Sequence, residues 1–216
     1  DCFILYKPRD IISGDFYWFA EVDGLLILAV ADCTGHGVPG ALMSMIGTEL
    51  LKQIVVERGV TEPTLVLELL NKDIRYSLRQ NLTGAHTDDG MDICFCSIDQ
   101  QAGQVYFAGA RRPLYYVNSD GESREILGNR KSVGGRQKEL KRTYEQVALP
   151  IGEGVTLYFT TDGFTDQPNP EGVKFGRRRW REFLARNGCL ELDEQHSLLN
   201  EELTRHQQHE PQRDDI

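Results

Sequence analysis

The first ordered pattern along the chain is a pair of apolar segments separated by two turn residues. Residues 15–22, "DFYWFAEV", and residues 25–33, "LLILAVADC", have the length and composition of β-strands. Asp23-Gly24 between them is typical of a two-residue hairpin turn. The pattern therefore predicts two antiparallel neighbouring strands.

Two helices are predicted after the hairpin. A glycine-rich break at residues 35–39 ends the strand pattern, and apolar residues then recur at helical spacing over residues 39–58. The same spacing predicts a second helix over residues 62–80, which gives way to a polar loop at residues 81–90.

The second half of the chain returns to strand-like segments before two further helices. Strands are predicted at residues 91–99, 104–110, 113–117, 142–149 and 155–161. Helices are predicted over residues 176–188 and 193–208, and the terminal "QRDDI" has the pattern of the start of a strand. Strands in hairpin succession with helices grouped in pairs predict an α+β fold, in which helices cover antiparallel sheets.

Composition and charge limit the classes of function. At 216 residues and 40% hydrophobic content, we expect one domain over residues 1–216 with a single core. The net charge of -9 argues against a nucleic-acid binder. No apolar segment approaches the ~18 residues of a membrane span, so we expect no membrane contact by this domain itself. Five cysteines without framework spacing predict reduced thiols and a cytoplasmic location. Both ends look like cuts, so we expect a fragment of a larger sensor protein.

Four acids lie where a predicted strand begins or ends beside glycine or another small residue. Asp15 opens the first strand, and the hairpin brings it back to the level of Asp32 at the end of the second. Asp162 ends an apolar strand and precedes a glycine, and Asp214 lies just before the expected last strand. Asp32 and Asp162 thus share one pattern of apolar strand, acid and nearby glycine.

Several neighbouring carboxylates repel one another, so such a cluster holds either protons or cations. Mg²⁺ and Mn²⁺ prefer oxygen ligands and need only one or two carboxylates each. Two ions about 4 Å apart could share Asp32 and a bridging water, whose lowered pKa would provide hydroxide for in-line attack on a phosphate. The pattern is therefore typical of a metal-dependent phosphate hydrolase.

Each acid also has an ordinary structural alternative. Asp32 could cap the following helix, Asp15 could lie in a turn, and Asp162 could form an Asx turn. Any one of these alternatives is credible, but the repetition of the pattern favours a shared site.

The other chemistry-bearing residues give weaker signals. His36 in its glycine-rich turn is expected to be structural or to support a neighbouring ligand. Cys94 and Cys96 share one face of a strand and fit a sheet core better than a metal site. His206 and His209 lie in a polar helix and are expected to be solvated. The segment "GHGVPGAL" lacks the Lys-Ser/Thr of a P-loop.

An ordered set of motifs carries a family resemblance that covers nearly the whole chain. The segments "SGDFYW", "ADCTGHGVPGALMSM", "FAGARRPLYYV", "TTDGFTDQ", "KFGRRRW" and "RDDI" resemble those of the SpoIIE-like branch of the metal-dependent (PPM, type 2C) serine/threonine phosphatases. The resemblance implies a central antiparallel β-sandwich flanked by helical layers. It also implies a dinuclear Mg²⁺ or Mn²⁺ centre in a cleft at one end.

The resemblance further implies a set of metal-binding residues, of which the four acids are also catalytic: Asp15, Asp32, Cys33, Asp162 and Asp214. Asp15 would hold one ion, Asp32 would bridge both, and Cys33 would lend its backbone carbonyl. Asp162 and Asp214 would hold the other ion, with Asp215 as the alternative to Asp214. The resemblance assigns no role to Asp88, Asp89 or Asp92.

One motif departs from the family pattern. Where many relatives carry Asn-Ala-Gly-His, this chain has "FAGARRP", so Arg111 or Arg112 takes the space of the histidine. An arginine there could bind phosphate bidentately, or it could be a surface arginine at a strand end.

The resemblance implies a Mg²⁺- or Mn²⁺-dependent phosphatase that acts on phosphoserine or phosphothreonine of a small STAS-like protein of the anti-anti-sigma type. A catalytically silent module that binds such a partner is the alternative. An upstream segment would form a homodimer and shift the helices at 39–58 and 62–80, which would change metal affinity. Because the net charge is negative, a local basic patch should dock the partner. The candidates are Arg111, Arg112, Arg177, Arg178 and Arg179.

Overall fold

The computed structural model describes residues 1–82 and 87–216, in which nine strands form two antiparallel sheets. In chain order the strands are β1 (Phe16–Val22), β2 (Leu25–Cys33), β3 (Gly90–Asp99), β4 (Gln104–Ala110), β5 (Leu114–Val117), β6 (Ser123–Ile126), β7 (Val133–Gly134), β8 (Val147–Pro150) and β9 (Thr156–Phe159). The large sheet has the order β1-β2-β3-β4-β8, with β7 paired to β3, and the small sheet has the order β6-β5-β9.

The two sheets face each other across an apolar core. Cys94 and Cys96 of β3, together with Phe107 of β4, cluster with Leu114 of β5, and Leu157 of β9 packs against this cluster. Both cysteines are fully buried, as their shared strand face predicted. Because side chains alternate along a strand, the residues between these positions point to the outer face of their sheet, where the helices lie.

Helices cover the outer face of each sheet. They are α1 (Gly37–Leu51), α2 (Pro63–Ser77), α3 (Gly163–Asp166), α4 (Gly176–Asn187) and α5 (Leu192–Gln207), with a π-helical segment, Lys52–Glu57, continuing α1. Leu70 of α2 packs with Phe95 of β3 on the large sheet. Trp180 of α4 and Leu203 of α5 pack with Tyr115 of β5 on the small sheet. The predicted α+β sandwich flanked by helical layers is therefore confirmed.

Two predicted elements differ from the structure, and part of a third is not described. No strand forms at the chain end: Ile216 exchanges two backbone hydrogen bonds with Lys7, and the Asp215 carboxylate accepts the backbone N–H groups of Arg9 and Gly14. The strand predicted at 142–149 begins only at Val147, because Arg142 and Tyr144 bind the carbonyl of a neighbouring loop residue. Residues 83–86 of the predicted polar loop lie outside the described residues.

The glycines after β2 bring the start of α1 against the segment before β1. A Cβ on Gly40 would lie 2.3 Å from the carbonyl oxygen of Gly35 and 2.9 Å from Cα of Gly14. Gly35 itself has a φ of +84°, which side chains rarely adopt. The glycines therefore allow close packing of backbone segments beside the start of β1.

Candidate active site

Strand register brings acids from three adjacent strands to one edge of the large sheet. Phe16 of β1 lies opposite Ala31 of β2, so Asp15 follows at the level of Asp32, as the hairpin predicted. Asp32 lies opposite Asp92 of β3. Asp32 and Asp92 have the same alternation as the inner residues Leu28 and Cys96 of their strands, so both belong to the face toward the small sheet.

A cleft of about 380 Å³ opens where these strand ends meet the small sheet. Its lining is Asp32, Cys33, Thr34, Gly35, His36, Asp92, Arg111, Arg112, Ser132, Asp162 and Asp214. Asp162 comes from the segment after β9, and the two arginines come from the connection that crosses from β4 to β5. The cleft therefore draws residues from both sheets and from the chain end.

Arg112 ties the acids of the cleft together. Its guanidinium Nη2 donates to Oδ2 of Asp32 at 2.6 Å and to Oδ2 of Asp162 at 2.7 Å. Oδ2 of Asp92 lies 3.6 Å from the same nitrogen. The Arg112 side chain is only 8% exposed. A single buried cation thus bridges an acid of the large sheet and an acid of the small sheet.

These contacts exclude two of the structural alternatives for the acids. The residue at the N-cap of α1 is His36 and not Asp32. Asp162 occupies the N-cap of α3, yet its side chain makes no capping hydrogen bond and binds Arg112 instead.

The two acids at the chain end have different environments. Both carboxylate oxygens of Asp215 accept backbone N–H groups, one from Arg9 at 2.7 Å and one from Gly14 at 2.8 Å. Asp214 lines the cleft. Asp15 is 7% exposed, and the charges of Asp215 and Asp214 help to raise its pKa. Asp215 therefore anchors the segment before β1, and Asp214 is the better placed of the pair to face a ligand.

The cleft carries more negative charge than Arg112 can neutralise. Burial, together with the charges of Asp15, Asp162 and Asp92, raises the pKa of Asp32 from 3.8 to about 9, although Arg112 acts in the opposite direction. Burial and the charges of Asp215 and Asp214 likewise raise the pKa of Asp15 to about 7. The carboxylates therefore need either protons or further cations at neutral pH.

The donor types of the cleft suit hard divalent cations. Its acids offer carboxylate oxygens, which Mg²⁺ and Mn²⁺ prefer. Cys33 belongs to the apolar core by its side chain, and burial raises the pKa of its thiol, so only its backbone carbonyl suits a hard ion. Within residues 1–82 and 87–216, however, no three His, Cys, Asp or Glu side chains converge to hold an ion. The donors fit such ions, but they are arranged around the guanidinium of Arg112.

Sequence reasoning missed Asp92 and Ser132. Asp92 lines the cleft, and its Oδ1 accepts a 2.6 Å hydrogen bond from Ser132 Oγ. Burial raises the pKa of Asp92. Pairing the predicted strand at 91–99 with the hairpin would have placed Asp92 beside Asp32, but no local motif marks either Asp92 or Ser132.

The predictions for the three histidines have different outcomes. His36 lines the cleft and pairs with Asp10 at 3.0 Å. His209 is exposed, as predicted. The prediction that His206 is solvated is wrong, because α5 packs it into the domain, where it contacts Arg179 and the carbonyl of Gln167.

The five arginines proposed for docking occupy two regions. Arg112 is buried inside the cleft, and Arg111 is exposed at its rim. Arg177, Arg178 and Arg179 lie in α4 and do not line the cleft. Arg178 pairs with Glu182, and Arg179 pairs with Glu202. Arg111 is therefore the docking candidate beside the predicted site.

No helix in the described part of the chain combines the length and apolarity needed to cross a membrane.

Comparison with known proteins gives consistent matches. The family model for stage II sporulation protein E (SpoIIE) matches residues 22–216. The phosphoserine phosphatase RsbU of Bacillus subtilis (strain 168) is 26% identical over 168 residues, which are 75% of this chain and 48% of that protein. The chain thus spans about half the length of this curated relative.

Solved structures extend the similarity. The SiaA-PP2C domain of Pseudomonas aeruginosa superposes with a TM-score of 0.88 at 35% identity, covering 99% of this chain and 82% of that one. RsbX, solved in complex with magnesium, superposes with a TM-score of 0.61 at 17% identity, covering 98% of this chain and 87% of that one. The RsbX match shows a shared fold alone.

Proposed function

The chain belongs to the SpoIIE family, and from this premise we propose that it hydrolyses phosphoserine or phosphothreonine on a small regulatory protein, using two Mg²⁺ or Mn²⁺ ions. The membership confirms the resemblance to SpoIIE-like phosphatases that the motifs carried. The similarity to a phosphoserine phosphatase and to a PP2C domain supports this class of reaction.

The observation that carries the proposal is the cleft of strand-end acids. Asp32, Asp162 and Asp214 line it, and Asp15 is buried beside them with a raised pKa. Excess negative charge in a partly buried cleft is costly without cations, and oxygen donors suit hard divalent ions. A purely structural role does not explain why four acids cluster there, because their mutual repulsion destabilises the fold.

The proposed roles of the side chains follow from their positions. Asp32 would bridge the ions, Asp15 and the Cys33 carbonyl would hold one of them, and Asp162 with Asp214 would hold the other. Bound ions would supply a hydroxide nucleophile near neutral pH and charge stabilisation for the phosphate. Arg111, at the rim, would orient the incoming phosphate through its planar guanidinium.

Hydrolysis of p-nitrophenyl phosphate tests the activity. We expect turnover with Mn²⁺ or Mg²⁺, loss of turnover with chelator, and loss in the variant Asp32→Asn. The variant Asp120→Asn, at an exposed carboxylate, is the matched control and should retain turnover. Turnover that is equal with chelator and with Mn²⁺ would contradict the metal dependence.

A catalytically silent binding module is the second candidate, and one observation favours it. Arg112 bridges Asp32 and Asp162, the two acids that divalent ions would need. Folded protein that binds no Mn²⁺ in calorimetry and hydrolyses neither an aryl phosphate nor a phosphoprotein would support the silent module.

For the substrate we propose a phosphorylated STAS-like protein with an acidic surface near its phosphoserine. The net charge of -9 opposes long-range attraction to such a partner, so local cations must dock it. Arg111 donates its backbone N–H to Asn129, which brings the exposed Arg130 and Lys131 near the same rim.

Charge reversal tests this docking surface. We expect Lys131→Glu to lower kcat/KM for the phosphoprotein without changing hydrolysis of p-nitrophenyl phosphate. Arg178→Glu, on α4 away from the cleft, is the control and should change neither rate. Equal kcat/KM values for the phosphoprotein in the Lys131 variant and the original protein would place docking elsewhere.

We also propose that an upstream segment dimerises the protein and acts through α1. This helix begins directly after cleft residues Gly35 and His36, and it exposes Val38, Leu42 and Met45 along one side. Movement of α1 would therefore move the cleft lining. The Mn²⁺ dependence of this chain and of a version carrying its upstream segment should differ, and identical curves would count against the coupling.

A further inference from the structure

The cleft already contains a cation that belongs to the chain. Arg112 places one nitrogen within hydrogen-bond distance of both Asp32 and Asp162, at 2.6 Å and 2.7 Å. These two acids come from different sheets and are 130 residues apart in sequence. The guanidinium therefore neutralises two of the carboxylates that the proposed divalent cations would bind.

The backbone of Arg112 is fixed, but its side chain is incompletely satisfied. A Cβ on Gly109 would lie 2.3 Å from the Arg112 carbonyl oxygen, and one on Gly128 would lie 2.7 Å from it, so the backbone is tightly packed. In contrast, Nε of Arg112 is buried without a hydrogen-bond partner in the described part of the chain. A buried donor without a partner is unfavourable, so a second side-chain position that pairs Nε would be favoured over this one.

A third acid is within reach of the same guanidinium. Asp92 Oδ2 lies 3.6 Å from Nη2, and Asp92 Oδ1 is held by Ser132 at 2.6 Å. Asp92 is not among the metal-binding residues that the motifs imply. Asp92 could therefore still pair with the guanidinium of Arg112 when Asp32 and Asp162 bind divalent cations.

We propose that Arg112 is an internal counter-ion of the metal-free cleft, which divalent cations must displace from Asp32 and Asp162, and that Asp92 holds the guanidinium after displacement. The inference rests on the proposed function only in assuming that Asp32 and Asp162 bind divalent cations. The guanidinium lowers repulsion among the acids without metal, and for the same reason it lowers the affinity for metal.

Calorimetric titration with Mn²⁺ tests the competition directly. Arg112→Gln removes the competing cation, so the Mn²⁺ affinity should rise at least about tenfold. Arg111→Gln is the matched control, because Arg111 also lines the cleft but has no ion-pair partner among the described residues. We expect a change of less than about threefold for this control, since only a screened long-range charge is lost.

Metal-free stability gives a second readout that does not depend on turnover. In chelator, Arg112→Gln should lower Tm, because the acids lose their counter-ion. Saturating Mn²⁺ should then raise the Tm of Arg112→Gln by more than it raises the Tm of the original protein, as tighter binding requires.

A double-mutant cycle tests the role of Asp92. Asp92→Asn should lower Mn²⁺ affinity when Arg112 is present, because the displaced guanidinium then has no acid to hold it. In the Arg112→Gln background the same change should have a much smaller effect. An equal loss of affinity in both backgrounds would mean that Asp92 acts only by its charge, and would overturn its role as the second position of Arg112.

The outcomes separate the inference from the proposed function. Absence of Mn²⁺ binding by the original protein would overturn the metal centre itself. Mn²⁺ binding with equal or lower affinity in Arg112→Gln would overturn the competition and leave the metal centre standing. If Arg112→Gln does not fold, Arg112→Lys takes its place: its shorter side chain should still raise the affinity, and an affinity equal to or below the original value would overturn the competition.

Discussion

Replacing Asp32 by Asn should stabilise the metal-free protein and at the same time abolish binding of divalent cations. Burial, together with the charges of Asp15, Asp162 and Asp92, raises the pKa of Asp32 from 3.8 to about 9. Asn has nearly the same shape and carries no charge. Its Oδ1 can still accept the hydrogen bond that Arg112 donates to Asp32 at 2.6 Å.

The magnitude follows from the proton that Asp32 must take up. At about pH 7.5, a carboxyl that is ionised when unfolded and protonated when folded costs up to about 5 kcal/mol relative to a neutral side chain. The amide oxygen of Asn accepts a weaker hydrogen bond from Arg112, which offsets part of this, so we expect a net gain of about 1–3 kcal/mol. For a chain of this length, that corresponds to about 2–4 °C in Tm per kcal/mol.

The sign of the pH dependence is fixed by the direction of the shift. When folding raises the pKa of a carboxyl, the free energy of unfolding falls as the pH rises from the pKa of the unfolded chain to that of the folded protein. The stability advantage of Asp32→Asn should therefore be small near about pH 4 and should grow as the pH rises toward about 9.

Thermal unfolding in chelator between about pH 5 and about pH 8.5 measures the effect. Asp32→Ala loses the hydrogen bond to Arg112 and should be less stable than Asp32→Asn, and Asp120→Asn should match the original protein. Added Mn²⁺ should raise the Tm of the original protein but not that of Asp32→Asn. A lower Tm for Asp32→Asn in chelator at about pH 7.5 would refute the reasoning, because it would mean that the ion pair with Arg112 outweighs burial and repulsion.

Three further predictions concern packing and accessibility. Gly163→Ala should lower the free energy of unfolding by about 1–3 kcal/mol, because its Cβ would lie 1.9 Å from a backbone oxygen. Gly152→Ala, with nothing within 4 Å, should be neutral, and equal urea midpoints for the two variants would contradict the packing. Arg142→Gln should lower the free energy of unfolding by about 2–4 kcal/mol, because three backbone carbonyls lose a buried donor, and an unchanged urea midpoint would argue against that role. Alkylation of the native protein should modify only the exposed Cys2 and Cys189 and should reach all five thiols after unfolding; mass spectrometry showing a third native modification would contradict the burial.

The sequence determined the elements that depend on neighbouring residues. Asp23-Gly24 and the two flanking apolar runs predicted β1 and β2 and placed Asp15 at the level of Asp32, since a two-residue turn fixes the register of a hairpin. Alternation predicted that Cys94 and Cys96 face a sheet core. The motifs were sufficient for the family and for the α+β sandwich. The metal roles of Asp15, Asp32, Cys33, Asp162 and Asp214 remain predictions.

Only the tertiary structure decided which charges meet in the cleft. Arg112 binds Asp32 and Asp162, which are 80 and 50 residues away from it, because the connection from β4 to β5 crosses between the sheets at the ends of β2 and β9. Asp92 joins them through the register of β3 against β2, which no local pattern marks. The sequence therefore indicated several acids that need a positive partner. Packing of the two sheets brings Arg112 to them. The sequence does not show this contact, because periodicity reports the face of a residue on its own element and not the residue that lies opposite it in the fold.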